Sequence, residues 1–245
     1  MIELRGLSKT YNKGAVKAVK DLSLEVKTGE LFGFLGPNGA GKTTTIKMMV
    51  GLLRPDAGEV LLGGVDARRE PLAAKALLGY CPDEPVLYDK MTGSRFLAFI
   101  ADMFAVSGAD RAARVQELAE TFEMKDALTE IISSYSHGMR QKISLMAALL
   151  HDPQVLILDE PIVGLDPRAA FTLKETMRSL CRKGKTVFFS THIMEVAERL
   201  CDRVGIISRG ALIAAAPLSD LRRKAGEKDA TLEKLFLEMT AGEEA

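Results

Sequence analysis

The chain lacks tryptophan, has only three cysteines among 245 residues, and carries no excess of either charge. Cys81, Cys181 and Cys201 are widely separated and form no C-x-x-C pair, which is typical of buried thiols in a reducing compartment. Lysine plus arginine and aspartate plus glutamate both total 33, so the formal charge is zero. A neutral chain offers no broad attraction to nucleic acid, and we expect no nucleic-acid partner.

The sequence also lacks a long apolar run, since none approaches the roughly 20 residues that span a bilayer. Glu3 stands where a signal peptide would need an apolar stretch. We therefore expect a cytoplasmic chain, and any membrane role would require another chain that crosses the bilayer. With 47% hydrophobic residues and no low-complexity tract, the chain is expected to form a globular core.

The most informative stretch is a complete G-x-x-x-x-G-K-T motif between an apolar run and a helix-forming segment. Glycines permit turns that side chains forbid, so the N–H groups of such a loop can cradle phosphate oxygens. Lys42 would reach the β- and γ-phosphates, and the Thr43 hydroxyl would bind Mg²⁺. A chance glycine-rich turn is disfavoured because the context is complete. The predicted nucleotide-binding residues are Gly36, Pro37, Asn38, Gly39, Ala40, Gly41, Lys42, Thr43 and Thr44.

The apolar pattern predicts an α/β fold with a mixed sheet around a parallel core. Alternation at residues 2–7 and 18–27 indicates two half-buried antiparallel strands. Continuous apolar runs at 155–158 and 185–189 indicate strands covered on both faces, as in a parallel sheet. Further elements are expected as a turn at 11–14, strands at 31–35, 59–62, 204–207 and 211–214, and helices at about 168–181 and 194–200.

Between residues 92 and 150 the apolar residues recur at helical spacing, which indicates an inserted helical subdomain. Thr92 and Asp110 are the expected N-caps of its first two helices, because each precedes an amphipathic run. The charged stretch at 218–239 is expected to be helical.

Two acids, Asp159 and Glu160, directly follow the apolar strand at 155–158. That position is the carboxyl edge of the sheet, where α/β folds bind ligands. Asp159 would hold Mg²⁺, usually through water, and Glu160 would orient or deprotonate an attacking water. The alternative is a pair of solvated acids at a strand end.

Four segments follow the glycine loop in order: Tyr135 to Gln141, Val155 to Glu160, Gly164 to Asp166, and Ser190 to His192. This ordered set, which spreads over most of the chain, resembles the nucleotide-binding subunit of an ABC transporter. The resemblance implies a P-loop NTPase fold of ABC type. The implied organisation is one domain over 1–245, with a RecA-like core and antiparallel β part at about 1–91 and 151–217, a helical subdomain at about 92–150 and a helical tail at about 218–245.

The resemblance also implies roles at both faces of a nucleotide. Tyr11 matches the residue that stacks on adenine, with a turn tyrosine as the alternative. Ser136 and Gly138 match the signature segment, which opens a helix and contacts the nucleotide of a second subunit. Two ATP molecules would therefore lie between two copies of the chain.

Two further residues have a functional and a structural interpretation. His192 matches the switch histidine that touches the γ-phosphate and helps to place the water, whereas a lone histidine after a strand is more often structural. Asp166 matches a loop that crosses the dimer interface and couples the two sites. It could equally cap the helix that begins with Pro167.

The chain departs from the family pattern in two places. His137 and Met139 replace a glycine and a glutamine of the signature, so a titratable side chain lies beside Ser136. Asp83 replaces a glutamine that binds Mg²⁺; a carboxylate still suits a hard cation but adds negative charge near the two acids at 159–160. The residues that follow, 84–88, resemble the segment that faces the membrane partner.

We therefore expect an ATP-hydrolysing subunit that binds ATP and Mg²⁺, forms a dimer, expected to be a homodimer, and drives transport through a separate integral membrane permease. The expected location is the cytoplasmic face of the membrane, and export is favoured over import. Two alternatives are a soluble ABC-type mechanical ATPase acting on the ribosome or DNA, and a small-molecule kinase. The first would usually carry two nucleotide domains or a long coiled coil, and the second leaves the segments around Ser136 and His192 unexplained.

Overall fold

A computed structural model describes residues 1–224, 226 and 230–241 of the chain. The strands are β1 Ile2–Tyr11, β2 Val16–Val26, β3 Leu31–Leu35, β4 Ala57–Leu62, β5 Val65–Asp66, β6 Leu78–Cys81, β7 Val155–Leu158, β8 Thr186–Thr191, β9 Arg203–Ser208 and β10 Ala211–Ala216. The α-helices are α1 Lys42–Met49, α2 Pro71–Ala76, α3 Gly93–Met103, α4 Gly108–Thr121, α5 His137–Leu149, α6 Pro167–Arg182, α7 Met194–Leu200, α8 Leu218–Lys224 and α9 Leu232–Ala241.

The larger sheet contains the six strands β10-β9-β3-β8-β7-β6, in that order. The five strands from β9 to β6 pair in parallel, and β10 pairs antiparallel with β9. β3, β7 and β8 are completely buried, as continuous apolar runs predict for strands covered on both faces. The predicted mixed sheet with a parallel core is confirmed, and it aligns the carboxyl ends of β3, β7 and β8.

The smaller sheet has the order β2-β1-β4-β5 and is antiparallel throughout. Its inner face and α1 share a hydrophobic cluster with one face of the larger sheet, including Leu22, Ile46 and Phe188. The predicted turn at 11–14 is a 3-10 turn at Asn12–Gly14. The sequence patterns missed β5 and α2, which are too short to show a period.

Residues 92–150 form α3, α4 and α5, as expected from the helical spacing. Thr92 caps α3, because its side chain accepts a hydrogen bond from the Arg95 N–H at 3.3 Å. The predicted cap at Asp110 is wrong: Ser107 caps α4, and Asp110 lies inside it, where its N–H donates to the Ser107 hydroxyl. A serine three residues earlier competes better because its short side chain reaches the free N–H groups of the first turn.

The segment predicted to be helical at 218–239 contains α8 and α9. Residues 225 and 227–229 between them, and 242–245 after them, lie outside the described residues. Leu232 and Leu235 of α9 share a buried cluster with Ala197 of α7 and Ile206 of β9. Within the described ranges, no helix has the length and apolar character needed to cross a membrane.

Candidate functional site

The glycine loop lies between the carboxyl end of β3 and the start of α1. Gly36 and Gly41 are required by close approach: a Cβ atom would lie 2.4 Å from the Ile207 carbonyl oxygen at Gly36 and 2.4 Å from that of Ala18 at Gly41. Gly41 also has a φ of +108°, which side-chain-bearing residues rarely adopt. The loop therefore packs against its neighbours with backbone alone, as a phosphate-binding loop requires.

Lys42, at the start of α1, is only 6% exposed. Its ammonium group donates hydrogen bonds to the carbonyl oxygens of Gly36 at 2.7 Å and Pro37 at 3.3 Å. These contacts hold the positive charge over the loop. From there the group can reach a phosphate oxygen bound by the same loop.

Glu160 brings three distant segments together at the end of β7. Its Oε1 lies 3.6 Å from the Lys42 Nζ, and its Oε2 lies 3.0 Å from the His192 Nδ1. The backbone N–H of His192 also donates to Oε2, at 3.3 Å. The His192 side chain is half exposed, whereas that of Glu160 is 11% exposed. A carboxylate with a lysine on one side and a histidine on the other is suited to orient a water and accept its proton.

Asp159 lies beside Glu160 but is 1% exposed. It accepts a hydrogen bond of 2.5 Å from the hydroxyl of Ser190. Together with Thr43 and Asp83, it lines a cavity of about 760 Å³ between the sheet and the helical segment. Hydroxyl and carboxylate oxygens are the donors that Mg²⁺ prefers, so the three side chains fit that ion.

The expected crowding of negative charge at Asp83 is present. Burial raises the pKa of Asp83 above its ordinary value, and the charges of Asp159 and Glu160 raise it further. His137 acts in the opposite direction. The ionised form of Asp83 is therefore repelled by the charges of the two acids.

Ser136 caps α5, the helix that carries the signature segment. Its hydroxyl accepts a hydrogen bond from the Met139 N–H at 3.3 Å. The neighbouring His137 ring packs against Gly164, where an added Cβ would lie 2.3 Å from the ring. Gly138 is near the same loop, since a Cβ on it would lie 3.3 Å from the Gly164 carbonyl oxygen.

Asp166 caps α6, as one of the two interpretations expected. Its Oδ1 accepts a hydrogen bond from the Ala169 N–H at 2.8 Å, and this bond lowers the pKa of Asp166. Its Oδ2 lies 3.5 Å from the Lys142 ammonium group of α5. Tyr11, at the end of β1, is 38% exposed and precedes the 3-10 turn.

Sequence reasoning missed two contacts of this site. Ser190 belongs to a motif that was recognised, but nothing in the sequence indicates that its hydroxyl bonds to Asp159. Lys142 follows the signature segment, and its positive charge is the only feature of the sequence that favours a contact with Asp166. Both contacts join segments far apart in the chain.

Comparison with known proteins decides the family. The family described as ABC transporter matches residues 19–163, more than half of the chain. The chain belongs to this ABC family. The linearmycin resistance ATP-binding protein LnrL of Bacillus subtilis is 38% identical over 226 residues, covering 92% of this chain and 72% of that protein.

Solved structures agree with this assignment. A structure described as the ATP binding subunit of an ABC transporter has a TM-score of 0.93 and 35% identity, covering 98% of this chain and 99% of the other. A dimeric structure of a bacterial ABC transporter cassette has a TM-score of 0.82 and 25% identity, covering 89% and 99%. The predicted fold and family are confirmed, and this ABC subunit binds ATP and is an ATPase.

Proposed function

We propose that this ABC ATPase drives transport, with export as its direction, through a separate integral membrane permease. The observation that carries the proposal is the 760 Å³ cavity, which has Thr43 and Asp159 among its lining residues and also the apolar Leu87 and Phe96. A segment of the permease that binds against these apolar residues would lie in the same cavity as the residues proposed to bind the nucleotide and its Mg²⁺. The name of LnrL, a resistance protein, supports the outward direction.

Hydrolysis is assigned to Glu160, with His192 beside it. Lys42 and the backbone of residues 36–44 hold the phosphate chain, and Tyr11 offers an exposed ring for the adenine. Bound Mg²⁺, held by Thr43, Asp159 and Asp83, would neutralise phosphate charge. Glu160 accepts the proton of the attacking water, and the His192 imidazole fixes its carboxylate at 3.0 Å.

The working unit is proposed to be a homodimer. Ser136 is exposed and its helix begins at the signature segment, so its hydroxyl and the first N–H groups of α5 are open to a nucleotide on another subunit. Gly138 belongs to the same first turn of α5 and would contribute its backbone to that contact, and Asp166 lies on the loop expected at the interface. The dimeric structure of a related cassette supports this arrangement.

The surface proposed to meet the permease includes the segment 84–88. Val86 is 88% exposed and Tyr88 54% exposed, and the Tyr88 ring makes an edge contact with Phe99 at 5.6 Å between centroids. Apolar side chains exposed this far are expected at a protein interface. Docking there would place the subunit on the cytoplasmic face of the membrane, with 92–150 as the subdomain that moves within the single domain 1–245.

Hydrolysis by Glu160 is tested with Glu160→Gln, which keeps the shape and removes the charge. We expect steady-state ATPase activity to disappear while ATP still induces dimers in size-exclusion chromatography. Glu175→Gln, on an exposed face of α6, is the matched control and should retain both properties. Wild-type turnover in Glu160→Gln would remove Glu160 as the catalytic carboxylate.

Coupling to a permease is tested by purifying the tagged chain from detergent-solubilised membranes. A hydrophobic partner should accompany the wild type and be lost in Val86→Asp. Leu237→Asp, at an apolar residue of α9 that is 59% exposed, should keep the partner. Recovery with ribosomes or DNA, without a membrane protein, would contradict the proposal and favour a mechanical ATPase.

A further inference from the structure

Ser190 lies next to the end of β8, between the two acids that follow β7. The strands β7 and β8 are parallel, and Leu158 lies opposite Phe189. The residues that follow them, Asp159 and Ser190, therefore also lie side by side. The Ser190 side chain is completely buried, with 0% exposure. It is therefore shielded from water and its hydroxyl must bond to protein.

The hydroxyl makes one bond to each acid. It donates to the Asp159 Oδ1 at 2.5 Å and accepts from the backbone N–H of Glu160 at 3.0 Å. The directions follow from chemistry, because an ionised carboxylate only accepts and an N–H only donates. One hydroxyl thus links both residues to β8.

The bond to Glu160 falls where the backbone is strained. Glu160 has a φ of +46°, in the left-handed region that residues with a side chain rarely adopt. Such a conformation persists only when neighbouring groups hold it. Ser190 holds its N–H, and Lys42 and His192 hold its carboxylate.

We propose that Ser190 is a positioning residue for both acids: it fixes the backbone of Glu160 in the conformation that directs its carboxylate between Lys42 and His192, and it orients Asp159 toward the cation. The proposal rests on the roles proposed for Glu160 and Asp159. It goes beyond them because Ser190, which is completely buried, would act only through its hydrogen bonds to the two acids.

The test compares Ser190→Ala with Ser190→Thr, which keeps the hydroxyl. Loss of a residue that orients a metal ligand or catalytic group lowers affinity or activity by about 10–100-fold. We therefore expect Ser190→Ala to lower kcat by about that factor, while the Kd of a fluorescent ATP analogue measured in EDTA stays within about twofold. Added Mg²⁺ is expected to strengthen binding of the analogue. The Mg²⁺ concentration that gives half of this increase should rise severalfold in Ser190→Ala. Ser190→Thr should restore both quantities.

Thr186→Val is the matched control, because Thr186 is also fully buried on β8 and its hydroxyl also makes two hydrogen bonds, at the opposite end of the strand. It should lower the melting temperature without changing kcat or the Mg²⁺ requirement. Melting curves of all variants confirm folding; if Ser190→Thr does not fold, Ser190→Ala and Thr186→Val decide the test. A Ser190→Ala protein that behaves like Thr186→Val would overturn the proposal. Turnover by Glu160→Gln would instead refute the role of Glu160, so the two failures are distinguishable.

Discussion

His151, just after α5, is expected to make the protein less stable in mild acid. Its Nε2 lies 3.1 Å from the Leu78 carbonyl oxygen, and its ring stacks on Phe104 with centroids 3.7 Å apart. A carbonyl only accepts, so Nε2 carries the proton and Nδ1 is unprotonated in the neutral ring. In the described part of the chain, Nδ1 is buried and has no hydrogen-bond partner. A second proton would be buried without solvation.

Burial therefore lowers the pKa of His151 from 6.5 to about 4, against the opposing effect of the Leu78 bond. Below pH 6.5 the unfolded chain binds a proton that the folded protein binds only near pH 4, so the free energy of unfolding falls as the pH falls through this window. The full shift corresponds to about 3 kcal/mol at 1.36 kcal/mol per unit. Because the side chain is partly exposed, we expect about 2 kcal/mol.

The assay is urea unfolding followed by far-ultraviolet circular dichroism at pH 7, 5.5 and 4.5, since the chain has no tryptophan to report unfolding. His151→Gln cannot titrate, so its stability should fall by about 2 kcal/mol less than that of the wild type over this window. Taking the difference between the two proteins removes the contribution of the carboxylates to the pH dependence, because both proteins contain the same carboxylates. Equal slopes in wild type and His151→Gln would refute the reasoning.

Three further variants test individual side chains. Asp83→Asn should shift the Mg²⁺ titration of the ATPase, because it removes a carboxylate that crowds Asp159; an unchanged titration would exclude a metal contact. Tyr11→Ala should weaken ATP binding by about 1–3 kcal/mol through lost stacking, whereas Tyr11→Phe should bind as the wild type does; equal affinities in both variants would argue for a turn tyrosine. Gly164→Ala should lower stability by at least about 1 kcal/mol, because its φ is +80° and the added Cβ meets the His137 ring. Adding His137→Ala should recover part of that loss in thermal melts, and full additivity would show that the ring is not the obstacle.

Much of this protein is readable from its sequence, since the determining interactions are local. The glycine loop needs turns at particular residues, so Gly36 to Thr43 identify a phosphate site without any knowledge of the sheet. Continuous apolar runs indicate buried parallel strands, and they predicted β7 and β8. The order of the motifs was sufficient to predict the ABC family, which the comparisons confirmed.

Local sequence patterns failed in two situations. They could not choose between two neighbouring residues that both suit a helix cap, and they could not predict contacts between segments that are far apart in the chain. Asp110 and Ser107 both suit a helix cap, and only the path of the backbone decided for Ser107. The sequence determined which acids follow β7. The tertiary structure alone decided that Ser190, 31 residues after Asp159, would bond to it. Such a contact depends on the register of two parallel strands, and that register is set by packing across the whole sheet rather than by the residues in contact.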